Sequence, residues 1–320
     1  MSALLRWEEL TGRDIAALDR SRTALWVTCS PIEVHGPHLP TVTDNLEARA
    51  IAHASAALFA RRFPEVCQLE LPPLYVGADV LPHVGSLAFR PTTVLRVVED
   101  LGRTLALQGF RHIWVTNFHG GPRHFVPLEL ACDRTNRRHG ARMVSLFSLL
   151  LTRLTGGTHD LSAVLADAAG LAPADLVGDG HGGAIETSLM LHLLGSRVDP
   201  GYRALGRRTV EDRVAARGGP APRPGARPSL PALVRGLVDK LRYFHEETWA
   251  GTPALASPEA GERILARLAE LTADALAELW TGRLAPEDCR SPLWPARWLF
   301  TEPRFGDALS RALGLVSPVG

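Results

Sequence analysis

Apolar and polar positions along the chain alternate between short runs of strand formers and longer stretches with helical spacing. Thr23–Cys29 is a compact apolar run, and a helical pattern follows from about Leu46 to Arg62. Val66–Leu71 reads as a second strand, and Thr92–Gln108 as a helix stopped by Gly109. Arg111–Asn117 is a third strand, Phe125–His139 a helix stopped by Gly140, and Ala141–Phe147 a fourth strand. Ser257-Pro258-Glu259 opens a late helix: Ser caps it, Pro suits its first turn and Glu complements its dipole. Its apolar positions Ile264, Leu268, Leu271, Ala275 and Leu279 keep to one face. This alternation predicts an α/β fold with a mainly parallel sheet and helices on both faces.

Two stretches depart from the pattern. Arg213–Pro231 holds five prolines and four arginines, which cannot supply a core and reads as a surface excursion. After Ala285, Trp294, Trp298, Phe300 and Phe305 lie among prolines, as in an irregular tail packed on a surface or on another subunit. The expected organisation is one domain over residues 1–284, with an insertion at about 203–231, and an aromatic extension over 285–320.

With 46% hydrophobic residues in a chain of 320, the composition is that of a globular protein. Lys and Arg number 35 against 34 Asp and Glu, a net charge of +1, so no global field favours nucleic acid or an anionic membrane as a partner. Cys29, Cys67, Cys132 and Cys289 are far apart, which suggests neither a disulfide framework nor a zinc knuckle and fits a reducing cytoplasm. The charged N-terminal stretch and the lack of a long apolar run predict neither export nor a membrane span.

The densest polar constellation follows the first strand: Glu33, His35 and, after a short loop, Asp44. Glu33 and His35 are two apart, so in extended backbone their side chains leave on the same side. Two carboxylates and an imidazole suit Zn²⁺ or Mn²⁺ better than a soft thiolate site does. Alone, the segment reads equally well as a polar turn. Asn117-Phe118-His119-Gly120-Gly121 follows the third strand. Open parallel sheets place sites beyond the carboxyl ends of strands, so the loops after strands one and three face a common crevice, and His119 becomes a candidate ligand. The bland alternative is a glycine-rich turn that His119 caps. A third cluster runs from Asp179 to Ser188, with His181 and Glu186 at the mouth of an apolar helix whose open N–H groups suit an anionic intermediate. His192, among leucines, reads as a packed histidine, and His38, His83 and His124 as surface or supporting ones.

The runs EVHGPHLPTVTD, NFHGG and HGGAIETS resemble the E-x-H-G-x-H-L-P-x-x-T-D, N-x-H-G-G and H-x-G-x-x-E-T-S signatures of the creatininase family of metal-dependent amidohydrolases. The resemblance spans roughly Leu10 to Leu279. It implies a three-layer α/β/α sandwich, commonly assembled as a hexamer, with two divalent ions, Zn²⁺ foremost and Mn²⁺ or Fe²⁺ as alternatives. Glu33, His35, Asp44 and His119 match the family's metal positions, and Asp44 resembles the carboxylate that bridges the ions. Glu186 looks like the remaining carboxylate ligand. His181 matches a histidine near the substrate, which makes His181 and Glu186 the candidates for proton transfer. Creatininase carries a Glu two positions after the second-motif His, where this chain has Gly121.

The reaction so implied is hydrolysis of a C–N amide bond in a small polar molecule, cyclic or open, through a metal-bridging hydroxide, in metabolism or secondary-product assembly. A metallopeptidase trimming a short precursor peptide and a non-catalytic oligomeric descendant are the alternatives. Creatininase is expected to cover its flat substrate with tryptophans near the third motif. This chain has no Trp between Trp114 and Trp249, which argues against creatinine itself.

Overall fold

The computed structural model describes residues 4–155, 161–217, 230–302, 308 and 311–315. In chain order the elements are β1 (Leu5–Arg6), α1 (Gly12–Ala17), β2 (Thr23–Thr28), α2 (Thr43–Arg62), β3 (Cys67–Glu70), α3 (Pro91–Leu107), β4 (His112–Thr116), α4 (Pro122–His139), β5 (Arg142–Ser145) and α5 (Leu146–Thr155). There follow α6 (Leu161–Ala169), α7 (Ala184–Leu194), α8 (Val210–Ala216), α9 (Leu230–Glu246), α10 (Pro258–Trp280) and α11 (Arg297–Thr301). The strands form one sheet in the order β1-β3-β2-β4-β5, with every pairing parallel.

All six residues of β2 are buried, as a strand covered on both faces requires. Its side chains alternate between two cores. Leu25 and Val27 join Ile113 and Val115 of β4 and pack on Val94 and Val98 of α3 and Leu128 and Ala131 of α4. Ala24 and Trp26 join Trp114 on the other face and pack on Ala52, Ala56 and Phe59 of α2 and on Leu276 and Leu279 of α10. The result is a three-layer α/β/α sandwich. Trp26 and Trp114 meet edge to face, with centroids 4.9 Å apart, and the Trp26 indole N–H donates to Gln68 Oε1 at 3.0 Å.

Several boundaries differ from the sequence expectation. The fourth strand stops at Ser145, and Leu146 already begins α5, because the run LFSLLL is apolar all round and its length does not distinguish strand from helix. β1, α5, α6, α8 and α9 had no clear signal. Both ends of the Pro/Arg-rich stretch are helical: Arg213–Ala216 lies in α8 and Leu230–Pro231 opens α9. Arg223 and Arg227, like Phe305 of the aromatic tail, lie outside the described residues.

Residues 285–302 run along α4. Arg290 reaches Asp133 Oδ1 at 2.5 Å and lies 4.5 Å over the Trp294 ring, while the Ser291 N–H donates to Glu129 at 2.8 Å. Among the described residues no helix is long and apolar enough to cross a membrane.

Candidate metal centre

From β2 the chain passes to β3 on one side, while β4 lies on the other. The loops leaving β2 and β4 therefore diverge and open a crevice at the carboxyl end of the sheet. The first loop brings in Glu33 and His35, the first turn of α2 brings Asp44, and the loop after β4 brings His119. The loop before α7 carries His181, and the first turn of α7 carries Glu186. All six side chains are buried.

Asp44 stands at the middle. Its Oδ1 lies 3.2 Å from His35 Nε2, which is 3.6 Å from Glu186 Oε2. Its Oδ2 lies 3.5 Å from His119 Nδ1, which is 2.9 Å from Glu33 Oε2. Two groups able to hold a cation, Glu33–Asp44–His119 and His35–Asp44–Glu186, thus share one carboxylate, and a third combination joins Glu33 and His35 to His181. The remaining ring nitrogens are tied down: His35 Nδ1–H donates to the Glu33 carbonyl at 3.0 Å and His119 Nε2–H to the Asp79 carbonyl at 3.2 Å. These bonds aim the other nitrogen of each ring at the carboxylates. With His119 neutral and its proton on Nε2, Glu33 Oε2 and Asp44 Oδ2 are buried without a hydrogen-bond donor. Orphaned carboxylate oxygens facing imidazole nitrogens are what a divalent cation would satisfy.

The charges agree with that fit. Burial alone pushes the His35 imidazole down, but Asp44, Glu186 and Glu33 outweigh it and hold it at about 10. His119 is likewise raised well above its ordinary value, Glu33 and Asp44 overcoming burial. Burial pushes the Asp44 carboxyl up, yet His35 and His119 bring it well below the usual range. Glu186 is pushed up to about 7 by burial, with His35 opposing and Asp44 adding. Protons on the two rings occupy the places that cations would take. His181 is pushed down to about 4, first by burial and then by the charge on His35. Its Nε2–H donates to the Val34 carbonyl at 2.7 Å.

Three supporting groups were not singled out from the sequence. Asp179 accepts from the Ala184 N–H at 2.6 Å and the Ile185 N–H at 3.1 Å, fixing the start of α7 and hence Glu186. It stands two residues before the third motif, which begins at His181, and an acidic residue before a helix is a readable signal. Asp79 acts through its carbonyl, which no sequence pattern reveals. Glu47 is a fully buried carboxyl on α2.

Other expectations are corrected. His192 is exposed, since α7 turns Leu189 and Met190 inward instead. His38 and His124 fall to the supporting alternative rather than the surface one, since both are buried: His38 Nε2 lies 2.8 Å from Thr187 Oγ1, and His124 Nε2–H donates to the Cys29 carbonyl at 3.1 Å. His83 is half-buried and donates to the Phe244 carbonyl at 2.9 Å. At Gly121 a Cβ would fall 2.4 Å from His119 Nε2 and 2.8 Å from Asp79 Cβ, so the backbone passes where a side chain cannot. The lack of Trp near the third motif in sequence does not hold in space, because Trp249 Cβ packs against Gly182 and Gly36. Arg208 lies 4.5 Å over that indole and pairs with Glu247 at 2.7 Å.

A protein from Mycobacterium ulcerans (strain Agy99) named mycofactocin precursor peptide peptidase is 28% identical over 254 residues, covering 78% of this chain and 82% of that protein. Among solved structures, a creatininase with Mn superposes with a TM-score of 0.56 at 22% identity, covering 86% of this chain and 98% of the other. A Zn–Zn form of a creatininase variant gives a TM-score of 0.55 at 21% identity, covering 87% and 98%. These two likenesses establish the shared fold. The family model described as creatinine amidohydrolase matches residues 8–276, a span that takes in all three motif loops and strands β2 to β5, and the chain therefore belongs to the creatininase family of amidohydrolases.

Proposed function

We propose that this protein is a metal-dependent hydrolase that cleaves a C–N amide bond of a small polar substrate, cyclic or open. Two divalent cations would be held by Glu33, Asp44 and His119 on one side and by His35, Asp44 and Glu186 on the other. The observation that carries this reading is the pair of buried groups sharing Asp44, one carboxylate oxygen turned to each. A donor set of three carboxylates and two imidazoles suits Zn²⁺, Mn²⁺ or Fe²⁺. Such ions polarise an amide carbonyl and supply a nucleophile near neutral pH.

The chain's own residues supply the rest. His181 is neutral at physiological pH, and with Nε2–H tied to Val34 it presents Nδ1 as the atom that takes up and delivers a proton. Glu186, poised near neutrality, is the second candidate for protonating the departing nitrogen. The start of α7, held by Asp179, adds a positive dipole end beside the developing oxyanion.

One observation favours a second reading, the trimming of a short peptide: the relative at 28% identity is a precursor peptide peptidase. The test is to load purified protein with Zn²⁺ or Mn²⁺ and to incubate it with small cyclic and open amides and with short peptides bearing a free C-terminus, following products by mass spectrometry. Turnover of small amides alone supports the first reading, and turnover of peptides alone the second. Full metal occupancy without turnover of either would overturn the hydrolase reading in favour of a non-catalytic descendant. The protein is further assigned to the cytoplasm as a homo-oligomer, a hexamer by family resemblance, with residues 1–284 as the hydrolase domain and 285–320 as an extension. Light scattering on the eluting protein checks the assembly.

A further inference from the structure

The loop after β3, residues 77–89, is closed at its base by the Phe89 N–H, which donates to the Gly77 carbonyl at 2.8 Å. In the strand order β1-β3-β2-β4-β5, β2 separates β3 from β4, so this loop must pass over the end of β2 to reach the loop after β4. It makes that reach with backbone groups. The Asp79 carbonyl accepts from His119 Nε2–H at 3.2 Å, and two residues further on the Leu81 N–H donates to Glu33 Oε1 at 2.5 Å. Glu33 and His119 are the two members of the Glu33–Asp44–His119 group that the other group does not share. The two bonds leave His119 Nδ1 and Glu33 Oε2 facing each other at 2.9 Å, the atoms open to a cation. The His35–Asp44–Glu186 group is held from within its own motif loops instead: His35 Nδ1–H donates to the Glu33 carbonyl at 3.0 Å, and the Gly182 N–H to Glu186 Oε2 at 2.6 Å.

Asp79 fixes where its carbonyl points. Among the described residues it is the one other than glycine with a positive φ, 64°, a conformation that Asp and Asn tolerate better than other side chains do. Its Oδ2 accepts from the Arg123 N–H at 2.9 Å, so the turn is pinned to the first turn of α4, the helix that follows His119.

We propose that residues 79–81 are a backbone clamp for one of the two cations only, with Asp79 as the positioning residue that sets it. This rests on the two-cation reading above and deepens it. Affinity at the Glu33–Asp44–His119 site depends on a loop outside the three motifs, and affinity at the His35–Asp44–Glu186 site does not. A carbonyl that holds the far nitrogen of a ligating histidine fixes its tautomer and ring orientation, and loss of such support costs about 10–100-fold in metal affinity.

The test titrates the full chain, stripped of metal, with Mn²⁺. Elemental analysis counts the bound ions, and electron paramagnetic resonance distinguishes a spin-coupled Mn²⁺ pair from an isolated ion. Wild type is expected to take two ions as a coupled pair. Asp79→Gly, which adopts the positive φ but cannot receive the Arg123 N–H, is expected to hold one ion as before, to weaken the other about 10–100-fold and to lose the coupled signal. Asp79→Asn, whose amide oxygen can accept the same N–H, is expected to keep both ions. Added to Glu186→Gln, which disables the other group, Asp79→Gly should weaken the ion that remains; added to Glu33→Gln it should change nothing further. Two ions at wild-type affinity in Asp79→Gly, even with a lower melting temperature of the metal-free protein, would overturn the clamp while leaving the two-cation reading intact, and so would equal weakening of both ions. Fewer than two ions on the wild type would overturn both.

Discussion

The imidazoles of His35 and His181 are stacked, with centroids 4.0 Å apart and planes inclined by 24°. The two rings touch yet hold opposite protonation states at neutral pH: His35 is held at about 10 and His181 at about 4. Their partners decide the difference. His35 points Nε2 at Asp44 and Glu186, whereas His181 points Nε2 at a backbone carbonyl. Replacing the His35 proton with a cation preserves this contrast, leaving a positive centre on one side of the stack and a neutral base on the other.

His181→Ala is therefore expected to keep the bound metal and to lower kcat by about 10²–10⁴-fold. Metal analysis and steady-state kinetics on the same preparation check this. A variant that arrives metal-free would make His181 a ligand, as its grouping with Glu33 and His35 allows.

Asp44→Ala removes the only carboxylate common to both groups, so both ions and all activity should be lost. In the metal-free state the change also strips His35 and His119 of a buried partner. Removing one member of a buried ion pair destabilises by about 3–5 kcal/mol. Denaturant unfolding of wild type and variant, each without metal, measures that difference.

The raised pKa of His35 sets a pH window. Its folded value of about 10 exceeds the unfolded value of 6.5, so in the metal-free protein its contribution to stability is complete below pH 6.5 and is lost as pH rises towards 10. A cation must displace the same proton, so apparent metal affinity should rise about tenfold per pH unit across that window for each proton released. Calorimetric titrations in buffers of different ionisation enthalpy count those protons, and a pH-independent affinity would show that His35 is not displaced.

Gly261 on α10 lies directly against α7: a Cβ there would stand 2.0 Å from the Ser188 carbonyl oxygen. Gly261→Ala must push the two helices apart, at about 1–3 kcal/mol of stability. Glu186 is on the moving helix, two residues before Ser188, so metal content should fall along with the melting temperature. Thermal melts with and without added metal separate the two effects.

Much of this centre was legible because the motifs carry it as local spacings. Glu33 and His35 two apart, Asp44 after one loop, His119 beyond a strand and Glu186 five residues after His181 are all visible in one dimension. What Asp44 does was not, because the division of its two oxygens between two rings depends on the angle at which α2 leaves its loop. Glu47 reads in sequence as one more polar residue on a helix, and only the packing of α7 against α2 shows it to be enclosed. The parallel sheet followed from alternation, but α9 was hidden by prolines that occupy its first turn and the stretch before it, and β1 is two residues long, too short for any period to appear. Trp249 shows the same limit from the other direction, since a residue remote from a motif in the chain stands beside it in space.

The position of α10 bears on when the proposed ligands can first be brought into register. It packs against both α2 and α7, the helices that carry Asp44 and Glu186, and residues 258–280 follow every one of the proposed ligands in the chain. While a ribosome is still making α10, the ligands have already emerged but the helix that holds two of them in register has not. The alignment of Asp44 with Glu186 is thus a property of a longer stretch of chain than the one that contains the proposed ligands.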